Sequence, residues 1–322
     1  MTHHKNKLVE IPLTWDSFEG AYMIRIRVGN NIIESVLDTG CGHVTAKTTD
    51  CQWKQCPSCS TQKCPVHGGG YYESKSKGGM SEQMTYGSQV DTVIRDNDSV
   101  RILAKGSEIP MGDGNNFEIL KVTAITGTSY SNLLGFSNIL RRPKRLRNIH
   151  PLVGLNTNIW TMKVGNRQSS IYLGKMNNVK FSRMSFVYPS MSYKTNFYMV
   201  PVTSITVDDK PIVAPKYMLL DTGTTHTYLP PSTIQSLKQN GWDFRRKPIT
   251  FTFGNRSITY RYHDLRDPDY SHQSVLVTDL RDPTAEIDTT SVTPSCLRAS
   301  MLALKFILDG LIKCPLPCLG KK

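Results

Sequence analysis

A chain of 322 residues with 39% hydrophobic side chains, four Trp and 14 Tyr carries enough apolar material for a sizeable core, which excludes a wholly disordered protein. Its 39 Lys and Arg against 26 Asp and Glu leave a formal charge of +13. That charge favours acidic partners or serves solubility, and by itself selects neither.

The first seven residues are polar and show no apolar run of the kind a secretory leader needs, so the compartment stays open. Beyond them, short apolar segments separated by Gly, Asn, Asp and Ser predict strands over 22–28, 32–37, 91–94, 171–173, 198–207, 217–220 and 250–253. Gly29-Asn30-Asn31 and Asp208-Asp209 read as turns between them. The densest basic run, Arg141, Arg142, Lys144, Arg145 and Arg147, has no interleaved aromatic residues on which bases could stack. It reads as a solvated loop, and no nucleic acid partner is expected. A helix is predicted over 231–240, opened by Pro-Pro-Ser and closed by Asn-Gly, and a second over 300–311. The late apolar stretch 301–312 carries Lys305 and Asp309 and is too short to span a bilayer. The class is mostly β.

The most informative feature is an internal echo. Ser35-Val36-Leu37-Asp38-Thr39-Gly40 returns as Met218-Leu219-Leu220-Asp221-Thr222-Gly223, 183 residues later. A repeat at that distance predicts two related lobes, divided into 1–182 and 183–322, rather than a short-period solenoid. In each copy an apolar strand runs straight into an acid. A carboxylate at a buried strand end is costly unless something shares its charge. Two of them brought together can hold one proton between them, because like charges in contact cannot both ionise. One is then an acid and the other a base, and a water between them can attack a carbonyl without a metal, a cofactor or a covalent intermediate. Gly40 and Gly223 permit close approach of the opposite half. The hydroxyls of Thr39 and Thr222 can cross-link the two turns, with Thr224 as further support. His43 and His226, which flank the turns, read as ordinary polar residues rather than a metal or base pair.

These motifs resemble the pepsin-like aspartic proteases over roughly residues 8–265. The resemblance implies a two-lobed fold of pseudo-twofold-related β-barrels with Asp38 and Asp221 as the catalytic pair. In that family a β-hairpin flap carrying Tyr-Gly follows the first acid, and Met84-Thr85-Tyr86-Gly87-Ser88 is similar to it. Tyr86, Gly87 and Ser88 are thereby implied as the lid over substrate. Leu133-Leu134-Gly135-Phe136 is similar to the segment that packs behind the first catalytic turn, and residues 220–230 follow the family pattern throughout. The implied activity is endopeptidase, the implied partner a polypeptide substrate, and the implied state a monomer, since one chain supplies both acids.

Cys51, Cys56, Cys59 and Cys64 form a cluster between the first acid and the flap, similar to the cysteine-rich insert of the plant nepenthesin-like branch. Two disulfides in an oxidising compartment, in an unfixed pairing, or a zinc site that includes His67 in a reducing one, both fit the spacing. Three positions depart from the family: Cys41 stands where Ser is usual, Thr45 replaces the Trp behind the flap tyrosine, and residues 306–310 are a distorted version of the expected closing segment. These departures motivate an alternative, a catalytically inactive, pepsin-shaped binding or inhibitor protein. Asn97 and Asn255 begin glycosylation sequons.

Overall fold

The computed structural model describes residues 8–260 except 17, 18, 20, 67–69, 74–78, 87, 88, 113–115, 128–131, 137–159, 164–168, 174–198, 220, 224–228, 244, 245 and 255. The predicted helix over 300–311, the basic run 141–147, residues 306–310 and Asn255 lie outside these.

The chain begins with strands β1 (Val9–Asp16), β2 (Ala21–Val28), β3 (Asn31–Asp38), β4 (Thr45–Lys54), β5 (Gln62–Lys63), β6 (Ser81–Tyr86) and β7 (Gln89–Asp98). It continues with β8 (Val100–Ala104), β9 (Ser107–Pro110), β10 (Phe117–Gly127), β11 (Asn132–Gly135), β12 (Trp160–Lys163) and β13 (Ser169–Leu173). Then come β14 (Met199–Pro201), β15 (Ser204–Val207), β16 (Lys210–Ile212) and β17 (Tyr217–Leu219). Helix α1 (Pro231–Gln239) and strands β18 (Ile249–Phe253) and β19 (Arg256–Tyr260) follow. Among the described residues the architecture is mostly β, with one helix.

Alternation explains β2: Ile24, Ile26 and Val28 are fully buried, while Arg25 between them is exposed. Gly29, at φ 57°, turns the chain into β3, a left-handed conformation that glycine adopts without Cβ strain. Asp208 and Asp209, at φ 48° and 61°, join β15 to β16 as the two-residue turn whose twist suits a hairpin.

One sheet runs β11-β3-β2-β1-β13-β12, with β8 and β9 attached through β2, and a second runs β5-β4-β10-β7-β6. A pair, β14-β17, and a four-stranded sheet, β16-β15-β18-β19, follow in the later part of the chain. The predicted strand over 198–207 is in fact two. Pro201 has no N–H to continue a ladder, and the chain changes partner there, from β17 to β16 and β18. The core joins both parts of the chain: Ile11, Ile24, Leu37, Leu134 and Phe136 cluster with Ile205, Val207, Leu229, Leu237 and Phe251. The sheet that holds the first acid thus shares its packing with the part of the chain that holds the second.

Candidate active site

Asp38 is the last residue of β3 and stands 1% exposed. Behind it runs β11, parallel to β3 and in a register that places Leu134 opposite Leu37 and Gly135 opposite Asp38. Phe136 N donates to the Asp38 carbonyl at 2.6 Å and Gly135 N to the His43 carbonyl at 2.8 Å. The Leu133–Gly135 stretch therefore holds the first turn from behind, and it needs glycine to do so. A Cβ on Gly135 would lie 2.4 Å from His43 N and 2.7 Å from the Cys41 carbonyl oxygen.

Asp221 follows β17 and is fully buried. Across the turn, Thr39 N donates to Thr222 Oγ1 at 3.1 Å and Thr222 N to Thr39 Oγ1 at 2.9 Å. The Thr222 hydroxyl itself donates to the Leu37 carbonyl. Two loops 183 residues apart in sequence are thus locked by reciprocal bonds between buried groups.

The carboxylates meet over this lock. Gly40 N donates to Asp38 Oδ1 at 2.8 Å and also to Asp221 Oδ1 at 3.1 Å, so one N–H bridges both acids. Gly223 N donates to Asp221 Oδ1 at 2.9 Å. A Cβ built on Gly40 would stand 2.5 Å from Asp221 Oδ2, and one on Gly223 2.4 Å from Asp38 Cγ. Each glycine is the surface on which the opposite acid rests. Both acids are thus buried and joined through one N–H.

A model of the eukaryotic aspartyl protease family matches residues 21–243. The chain belongs to the eukaryotic aspartyl protease family. The match runs from β2 to just past α1, so it takes in both Asp-Thr-Gly turns, the β6–β7 hairpin and the cysteine insert. Several β-sheets with few helices are the pepsin-like fold of that family. No curated protein matches the chain at a significant level.

The remaining predicted site residues are distributed over this family member as follows. Tyr86 ends β6 and pairs with Gln89 at the start of β7, which puts its backbone at the hairpin's turn. Gly87, Ser88, Thr224, His226 and His67 lie outside the described residues. The four insert cysteines form two disulfides, Cys51–Cys64 and Cys56–Cys59. Sulfurs bonded in this way are not thiolate ligands, so the zinc arrangement is not the one present.

Cys41 is buried and stands outside the two disulfides, and its Sγ approaches the His43 carbonyl at 3.8 Å, the length of a weak sulfur donor bond. Thr45, where the family's Trp would stand, is buried, and its Oγ1 accepts from Leu133 N at 2.8 Å. It braces β11.

Sequence reasoning missed Lys47. On β4 it is 2% exposed and its Nζ donates to the Pro65 carbonyl at 2.6 Å. Burial pulls its ammonium down to about 8, against the opposing pull of Glu19 and Asp91. Residues 45–48 of β4 are buried in succession, so no alternation in the sequence marked it.

Proposed function

We propose that the chain is an aspartic endopeptidase in which Asp38 and Asp221 activate a water against the scissile carbonyl. The observation that supports it is the single N–H of Gly40 shared by both buried carboxyls. The ionised acid takes a proton from the water as it attacks. The protonated acid donates to the carbonyl oxygen, where negative charge develops; the proton taken from the water then passes to the leaving amine as the tetrahedral intermediate returns a hydroxyl proton to the second acid. Thr39 and Thr222 hold the pair in place, and the hairpin ending at Tyr86, Gly87 and Ser88 closes over the peptide. We place the boundary between the two lobes at 182/183, each lobe giving one acid, with a monomer as the working unit. The disulfide-bonded insert supports a position near the nepenthesin-like branch.

The test is cleavage of a denatured protein from acidic to neutral pH, with and without a peptide bearing a statine-like hydroxyl. Cleavage that the peptide inhibits and that disappears in Asp38→Asn and Asp221→Asn supports the reading. A second reading, a pepsin-shaped binding protein, is favoured by Cys41 with its thiol turned to the His43 carbonyl. Absence of cleavage together with tight peptide binding unaffected by Asp38→Ala would establish that reading instead.

A further inference from the structure

The insert after β4 is built in two tiers. At its root, Cys51 and Cys64 are each 1% exposed and bonded to each other, and Cys64 N donates to the Cys51 carbonyl at 3.0 Å. Strands β4 and β5 pair beside them, with Gln52 opposite Lys63 and Trp53 opposite Gln62. The Tyr71 hydroxyl donates to the Cys64 carbonyl at 2.6 Å, and Trp53 Nε1 donates to the Gly127 carbonyl at 2.8 Å. None of these contacts involves the tip of the insert.

At the tip, Cys56-Pro57-Ser58-Cys59 closes a second disulfide over a sequence separation of only three, against 13 for the root bond. Pro57 and Ser58 are exposed and the two cysteines half-buried. A bond that closes so short a loop removes little freedom from the unfolded chain, so it adds little to the fold. Half-buried beside an exposed Pro57 and Ser58, it is more open to an incoming thiolate than the root bond, whose cysteines are 1% exposed. The Ser58 hydroxyl lies 3.4 Å from Cys56 Sγ, where it can donate to a thiolate once one forms. Lys54, two residues before Cys56, adds positive charge on the same hairpin, which favours a leaving thiolate.

We propose that Cys56–Cys59 is a thiol-exchange site for low-molecular-weight thiols such as glutathione, carried on a platform that the Cys51–Cys64 bond keeps folded. A thiolate of the reagent attacks one of the two sulfurs. The protein S–S bond breaks, a mixed disulfide forms, and the electron pair leaves on the other sulfur, which takes a proton. A second thiolate then attacks the reagent's sulfur, releasing the remaining protein thiolate and the oxidised reagent. In sum, two thiols are oxidised to one disulfide and one protein disulfide is reduced to two thiols.

The test uses the full chain in its native state. Samples are equilibrated with increasing reduced glutathione, trapped with N-ethylmaleimide and mapped residue by residue by mass spectrometry. The proposal requires Cys56 and Cys59 to be labelled at glutathione concentrations at least about tenfold below those that open Cys51–Cys64. Simultaneous opening of both bonds, or opening of the root first, overturns it. The Cys59→Ser variant, which leaves Cys56 as a thiol, should gain one glutathione more than the parent chain from the oxidised form, read as intact mass and mapped to Cys56. Failure to gain it also overturns the proposal. The Cys56→Ser/Cys59→Ser variant should keep its urea midpoint near that of the parent chain, and a large fall would show the tip bond to be structural instead.

Discussion

A methyl group at Gly40 or Gly223 has nowhere to go. Its neighbour would be the carboxyl of the opposite acid at 2.5 or 2.4 Å, on a short side chain already fixed by Gly40 N–H. Something must shift, and what shifts is the pair itself. Gly40→Ala and Gly223→Ala are therefore expected to lower kcat/KM on a peptide substrate by roughly 100-fold or more, the penalty for a displacement of about 1 Å at a reacting centre. A thermal melt on the same samples separates this loss from unfolding. Thr222 is a different case, since its hydroxyl accepts from Thr39 N and donates to the Leu37 carbonyl. Thr222→Ala strands both buried groups and should lower the unfolding free energy by about 1–3 kcal/mol, measured in urea. Thr222→Ser keeps the hydroxyl and should restore most of that.

Strand β11 carries the first acid's support, and its tolerance is narrow. In Gly135→Ala the new Cβ would meet His43 N and O and the Cys41 O, all backbone atoms, so β11 must move away from β3. The expected result is a loss of about 1–3 kcal/mol or more in urea unfolding, together with a fall in activity, because Phe136 N can no longer reach the Asp38 carbonyl. Some elements were legible in the sequence, while others, β4, β10 and β12 among them, fell in no predicted segment. The apolar run into Asp38, the alternation in β2 and the Pro and Asn-Gly that bound α1 each announced an element in local terms. Partners were not legible. Nothing local says that β1 pairs with β13, with Val9 opposite Leu173, or that residues 198–207 break at Pro201 to serve two sheets. The acids and glycines of the site could be found because the sequence repeats them. The bond from Thr222 to the Leu37 carbonyl could not, since it depends on how two distant turns meet. Four cysteines allow three pairings, and only the fold selects Cys51–Cys64 with Cys56–Cys59.

Lys47 ties the stability of the whole molecule to pH. Its side chain joins β4 to the insert through the Pro65 carbonyl, and it feels Glu19 before β2 and Asp91 on β7, so a change at this nitrogen reaches all three. Burial outweighs those acids and lowers the folded-state value to about 8, whereas the unfolded chain holds its proton up to roughly 10.4. Below about pH 8 both states carry the charge and the folded state bears the full cost of burying it. Between about 8 and 10.4 the folded state has released a proton that the unfolded state keeps, so stability from this group rises with pH, by about 1.4 kcal/mol per unit. Above that range the gain is complete, on the order of 3 kcal/mol. Lys47→Met removes the titration and packs a chain of similar length against the same walls. Urea unfolding of both proteins at pH 7, 8, 9 and 10 should therefore show the difference in stability moving steadily toward the lysine form above pH 8. A difference that stays flat across this range would mean that Lys47 keeps its charge in the folded protein, held by Glu19 and Asp91 against the pull of burial.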